Sequence, residues 1–86
     1  MPVISRFYGI IIKMFYDDHN PPHFHAEYAE YKATIKITDF TLTRGTLPPR
    51  ALGLVMEWAA LHQDELLKDW TLAANNTTLL AIEPLK

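Results

Sequence analysis

Residues 23–36 read HFHAEYAEYKATIK, and the pairing of this stretch decides the fold. Apolar or aromatic side chains recur at every second position on either side of Ala29-Glu30, which is the period of a half-buried strand. A turn at Ala29-Glu30 sets Tyr28 against Tyr31, Ala26 against Ala33 and Phe24 against Ile35. It also sets Glu27 opposite Lys32, His25 opposite Thr34 and His23 opposite Lys36. One face is then wholly apolar or aromatic, and the other is wholly polar with one opposite-charge pair. A slip of one residue destroys that division, so the pattern itself specifies the register. The expected hairpin joins strands 23–28 and 31–38. Its turn is the odd feature, because neither Ala29 nor Glu30 is a natural residue for φ > 0.

Working outward, residues 6–16 read as one long strand. Tyr8, Ile10, Ile12, Met14 and Tyr16 share one face, expected to be core, and Phe7, Gly9, Ile11, Lys13 and Phe15 share the other. Residues 17–22 form a loop that Pro21 and Pro22 stiffen, with Asn20 pushed to extended geometry before them. After the hairpin, 41–43 suits a short edge strand. Thr46 suits a helix N-cap, and Pro48-Pro49 a first helical turn. Residues 47–62 are helical by period, with Ala51, Leu54, Val55, Trp58 and Leu61 inward. Residues 64–74 follow as a second helix or the continuation of one bent helix, with Leu66, Leu67, Trp70 and Ala73 inward and Asp64 and Glu65 in its first turn. The tail is extended, with Leu80 and Ile82 docking on the body. The fold class is α+β: an antiparallel meander of three or four strands with helices on one face, in a single domain over 1–86.

Composition narrows the function classes. Hydrophobic residues make up 49% of the 86, enough for one core, and the chain has no cysteine, hence neither a disulfide framework nor a thiolate metal site. The apolar run FYGIII at 7–12 is interrupted by Lys13 and is too short for a membrane span, so a cytoplasmic, membrane-free protein is expected. The net charge of −2 opposes general nucleic-acid affinity. No dinucleotide, P-loop, serine-hydrolase or HExxH motif occurs, so whether the chain is an enzyme stays open.

The chemistry concentrates in DDHNPPHFHAEY, residues 17–28. His23 and His25 leave one strand face together, and His19 in the loop can swing toward them. These three imidazoles are the metal-ligand candidates, with Asp17, Asp18 or Glu27 able to add an oxygen. No cofactor is demanded by a motif; a divalent transition metal is the one these residues admit. Lys36 opposite His23 argues for an anion instead. In that second reading His23 and His25 serve as acid and base beside Lys36, a minimal set for metal-independent RNA cleavage, or His19, His23, His25, Thr34 and Lys36 bind phosphate. The third reading is a solvated strand face. Nucleic-acid binding without catalysis rests on Lys32, Lys36 and the histidines alone.

The segments ISRFYGIIIKMFYDDHNPPHFHAEYAEYKA, RGTLPPRALGLVMEWAALHQDELLKDW and IEPL together resemble a small bacterial family known as domain of unknown function 4160. The resemblance spans nearly the whole chain and implies no activity. It implies one half of a two-gene module of the toxin–antitoxin type, and so a small partner protein from the neighbouring gene; a second copy of the chain is the other cover that the apolar second face of the first strand could take. The apolar Phe7, Ile11 and Phe15 face agrees with such an interaction component. Relatives often carry Gly where this chain has Ala29.

Overall fold

The computed structural model describes residues 2–86 and runs β1 (Val3–Phe7), β2 (Ile10–Lys13), β3 (His23–Tyr28), β4 (Tyr31–Lys36), β5 (Leu42–Gly45), α1 (Pro49–Leu61) and α2 (Gln63–Ala74). The strands form one antiparallel meander in the order β1-β2-β3-β4-β5. The central hairpin has the register set by polarity: Phe24 pairs with Ile35, Ala26 with Ala33 and Tyr28 with Tyr31, while His23, His25 and Glu27 face Lys36, Thr34 and Lys32. Phe24, Ala26, Ala33 and Ile35 are buried, with exposures of 4% or less.

The unusual turn forms at the expense of Ala29, which sits at φ 52°. An L-residue pays roughly 1–2 kcal/mol for the left-handed region, and glycine avoids that cost while adding some unfolded-state entropy. Ala29→Gly is therefore expected to stabilise the fold by about 0.5–1 kcal/mol, read as a melting temperature a few degrees higher.

Residues 6–16 are not one strand. The chain reverses at Tyr8-Gly9, with φ of 49° and 80°, so that Phe7 pairs with Ile10. Both residues of this two-residue loop have positive φ, as a tight hairpin demands, and Gly9 supplies one of them without strain. The turn also reverses parity: Phe7 and Ile10 are three apart in sequence yet share a face. Phe7 therefore joins Ile10, Ile12 and Met14 in the core and packs on Trp58 at 5.3 Å between ring centroids. Tyr8 and Tyr16, read as core, are 59% and 40% exposed. The sheet accordingly has five strands.

The last strand is Leu42–Gly45 rather than 41–43. Gly45 has φ 70°, and a Cβ there would collide with the Lys32 carbonyl, so glycine lets this edge strand lie close against β4. Thr46 does not cap α1, because its N–H still donates to the Lys32 carbonyl at 3.0 Å and holds it to the sheet. The N-cap is Pro48, with Pro49 at the first helical position. There are two helices, separated at His62, whose φ of −124° leaves the helical range. Ala51, Val55, Trp58 and Ala59 are the buried face of α1. Leu61, read as inward, is 67% exposed because it lies off that face on the last turn. Asp64 and Glu65 do occupy the first turn of α2.

The helices pack on the apolar sheet face in one core. The tail closes it: Ile82 is buried and donates its N–H to the Ile4 carbonyl at 2.8 Å, while Leu80 is 51% exposed. Trp58 donates its indole N–H to the Glu83 carbonyl at 2.8 Å. Among the described residues no helix is long and apolar enough to cross a membrane.

One buried group was not foreseen. Asp69 of α2 is 1% exposed; its Oδ1 accepts the Leu80 N–H at 2.9 Å, and its Oδ2 has no hydrogen-bond partner among the described residues. Burial raises its pKa above the usual carboxylate value, against the Leu80 N–H and with the nearby Glu65. A raised carboxyl pKa means that the fold favours the neutral form. Stability is then greatest below the unfolded pKa and falls as pH rises through the folded one. Asp69→Asn keeps an acceptor for Leu80 and carries no charge. It is expected to melt higher than the parent at pH 7, with the difference shrinking toward pH 4 in a melting-temperature series.

Candidate metal centre

The site begins with a strand and a loop that bends back over it. His23 and His25 alternate with the buried Phe24 and Ala26, so both rings leave β3 on the side opposite those two core residues. The loop residue Asp17 adopts φ 57°, and the next residue, Asp18, aims its carboxylate at the two rings. Asp18 Oδ2 lies 2.8 Å from His23 Nε2 and 3.3 Å from His25 Nε2. One donor atom from each of Asp18, His23 and His25 lies within 4.8 Å of the other two. Metal–ligand bonds of about 2.0–2.2 Å at ordinary coordination angles put ligand atoms roughly 3 Å apart, which is the spacing of these contacts.

The outer atoms are fixed as well. His23 Nδ1 is 2.8 Å from the Pro21 carbonyl. A carbonyl only accepts, so the Nδ1 proton is donated there and Nε2 is the nitrogen turned to Asp18. His25 Nδ1 is 3.4 Å from Thr34 Oγ1. Asp18 Oδ1 accepts the His19 N–H at 3.0 Å, leaving Oδ2 for the site. Metal-binding imidazoles and carboxylates are oriented by outer hydrogen bonds of this kind.

The site is sheltered. Trp70 of α2 lies 5.1 Å from the His23 ring, and Phe15 stands edge-on to His25 at 4.4 Å. Burial acts to raise the Asp18 pKa, but the His25 hydrogen bond, the neighbouring His23 and the His19 N–H together hold it below the usual value. Burial pushes His25 down, outweighing its hydrogen bond to Asp18. An ionised carboxylate and a neutral imidazole are the protonation states that metal ligation needs.

The other sequence candidates fall around this cluster. His19 is 92% exposed in its side chain; its Nδ1 approaches Asp18 Oδ1 at 3.5 Å and lies outside the convergence of the other three. Lys36 is opposite His23 in register, yet its ammonium turns to Asp39 at 3.4 Å. Glu27 pairs with Lys13 at 3.0 Å. Thr34 supports His25 from the next strand. The sequence offers Asp18 only as one of several oxygens able to join the histidines, since its aim depends on the positive φ of Asp17, which the sequence pattern does not display. A cavity of about 210 Å³ opens beside the cluster, lined also by Asn20, Lys36, Thr43 and Arg44.

The contacts bear differently on the two chemical readings. Both nitrogens of each ring are engaged, so acid–base catalysis by either histidine requires breaking a contact that orients it. A metal ion held by Asp18, His23 and His25 would take the place of the Nε2-to-carboxylate contacts, and the outer hydrogen bonds would still orient the ligands.

A sequence model of the family described as Domain of unknown function (DUF4160) matches residues 9–71. That span takes in the whole cluster and both helices up to Thr71. No curated protein and no solved structure matches the chain.

Proposed function

The chain belongs to the family described as Domain of unknown function (DUF4160), and from the geometry of its loop-and-strand site we propose that it is a metalloprotein whose centre is Asp18, His23 and His25. One observation carries this reading: one donor atom each of Asp18, His23 and His25 converges within 4.8 Å, while His23 Nδ1 and Asp18 Oδ1 are held by outer hydrogen bonds that leave Nε2 and Oδ2 for a shared ion. A divalent ion would take Asp18 Oδ2, His23 Nε2 and His25 Nε2 as its ligands. Two imidazoles and a carboxylate suit zinc or a neighbouring first-row metal and leave further coordination positions open. The cavity beside the three residues would give a further ligand access to such an ion, as a catalytic metal needs and a structural one does not. A cytoplasmic location is part of this proposal, and a chain without cysteine fits a reducing compartment.

Elemental analysis of untagged protein, purified without chelators, tests the reading. Near-stoichiometric zinc, iron, manganese, cobalt or nickel is expected. Absence of all of them, together with no uptake on dialysis against each, overturns it.

The role as interaction component of a two-gene module is a separate proposal and rests on the family resemblance. Its apolar motive is reduced, since Phe7 is buried against Trp58 and Ile11 and Phe15 are half-buried. Co-expression with the neighbouring gene product tests it: a stable complex is expected, and two separately eluting proteins count against it.

A further inference from the structure

We infer that this site takes a phosphate ester, with the phosphoryl group held between the metal and the Arg44 guanidinium and the organic group lying over Phe15; the inference rests on the metal reading. Three observations lead to it. The first is register. His25 pairs with Thr34, and Thr34 pairs with Arg44, so all three stand in one row across β3, β4 and β5 and share a face. Adjacent strands are about 4.8 Å apart, so Arg44 starts roughly 10 Å from His25, within reach of a ligand on the metal.

The second is charge. Three acids around the site are already matched: Asp18 by the histidines, Glu27 by Lys13 and Asp39 by Lys36; Asp17 is exposed and does not line the cavity. Arg44 is exposed and makes no ion pair among the described residues. A metal together with an unmatched guanidinium selects an anion, and the planar fork of arginine suits phosphate oxygens.

The third is shape. With a metal bound, His25 donates its Nδ1 proton to Thr34 Oγ1, which frees the Thr34 hydroxyl proton for the ligand. Metal, Arg44 and Thr34 then address three oxygens, one more than a carboxylate has. A second cavity of about 430 Å³ shares His25, Thr34 and Arg44 with the first and continues along Phe15, Ala33 and Gly45. Its apolar floor accommodates an organic substituent, so an ester fits this groove better than free phosphate.

Cobalt-loaded protein provides the test, with phenyl phosphate, inorganic phosphate and benzoate as probes. Both phosphate compounds are expected to change the visible cobalt spectrum, with phenyl phosphate binding more tightly than inorganic phosphate. Arg44→Gln should weaken both by at least about tenfold, the loss of a charged bidentate contact, while leaving cobalt affinity as it was. Arg44→Lys should recover part of that loss, and Phe15→Ala should abolish the preference for phenyl phosphate. Melting curves of each variant confirm that it folds. Failure to take up cobalt overturns the metal reading and this inference with it. Uptake without a phosphate response, an unchanged response in Arg44→Gln, or benzoate binding as tightly as phenyl phosphate overturns the phosphate-ester site alone.

Discussion

Zinc added to untagged metal-free protein is expected to raise its melting temperature by about 10–20 °C at a free concentration near 100 times Kd. At that ratio binding adds about 2.7 kcal/mol, and a domain of this size gains roughly 4–8 °C per kcal/mol. The effect should be reversed by a chelator. Asp18→Asn preserves the shape of the carboxylate and removes its charge; His25→Gln removes an imidazole that is only partly buried. Each should bind zinc at least about 100-fold more weakly, since loss of an outer-shell partner alone costs about 10–100-fold. His19→Gln is the control. With a side chain 92% exposed and outside the convergent set, it should leave both affinity and zinc-induced stabilisation nearly intact. Equal damage from His19→Gln and His25→Gln would show that the loop histidine, not Asp18, completes the centre. Titration calorimetry with zinc gives the affinities, and the difference between melting curves with and without metal separates ligation from any change in the apo-fold.

The largest loss of stability is expected from Trp58→Ala. Trp58 is 0% exposed and lies against Phe7 at 5.3 Å and Phe24 at 6.0 Å, so it joins α1 to both β1 and β3. Its indole N–H also holds the tail through the Glu83 carbonyl. Truncating a buried tryptophan costs about 3–5 kcal/mol, and an 86-residue domain has only roughly 4–13 kcal/mol in total. Trp58→Ala should therefore unfold at or near room temperature, as measured by urea denaturation or by loss of near-ultraviolet circular dichroism. Trp58→Phe keeps most of the ring and loses the donor, so a smaller loss is expected, together with a freed tail detectable as faster amide exchange at Ile82. Similar stability in Trp58→Ala and the parent would contradict the packing described.

The site was half legible. Two histidines two residues apart on a strand must share a face, and the hairpin polarity showed which face. That reasoning located His23, His25, Thr34 and Lys36 correctly in the sheet. It offered His19 as the third metal ligand because three imidazoles with one open position suit a catalytic zinc site. It also treated Lys36 as a cation facing His23. In the fold Lys36 turns to Asp39, and the backbone at Asp17 turns Asp18 inward. Side-chain direction in loops and at strand ends depends on local dihedrals and on neighbours distant in sequence, and neither follows from residue spacing.

The same division runs through the fold. Alternation on both sides of Ala29-Glu30 determined the central hairpin and its register, because strand pairing places every second side chain on one face and only one pairing buries the apolar set. Helical period located α1 and α2, with acids where the α2 dipole favours them. The early hairpin was hidden because Tyr8-Gly9 interrupts an otherwise continuous apolar run, and a two-residue turn reverses parity without altering composition. Burial of Phe7, exposure of Tyr8 and Leu61, and the enclosure of Asp69 under the tail were decided only when the sheet, helices and C-terminal segment met. Local periodicity states which faces of an element can be buried. Which of them is buried, and whether a carboxylate completes a pair of histidines, depends on contacts between segments that the chain brings together only on folding.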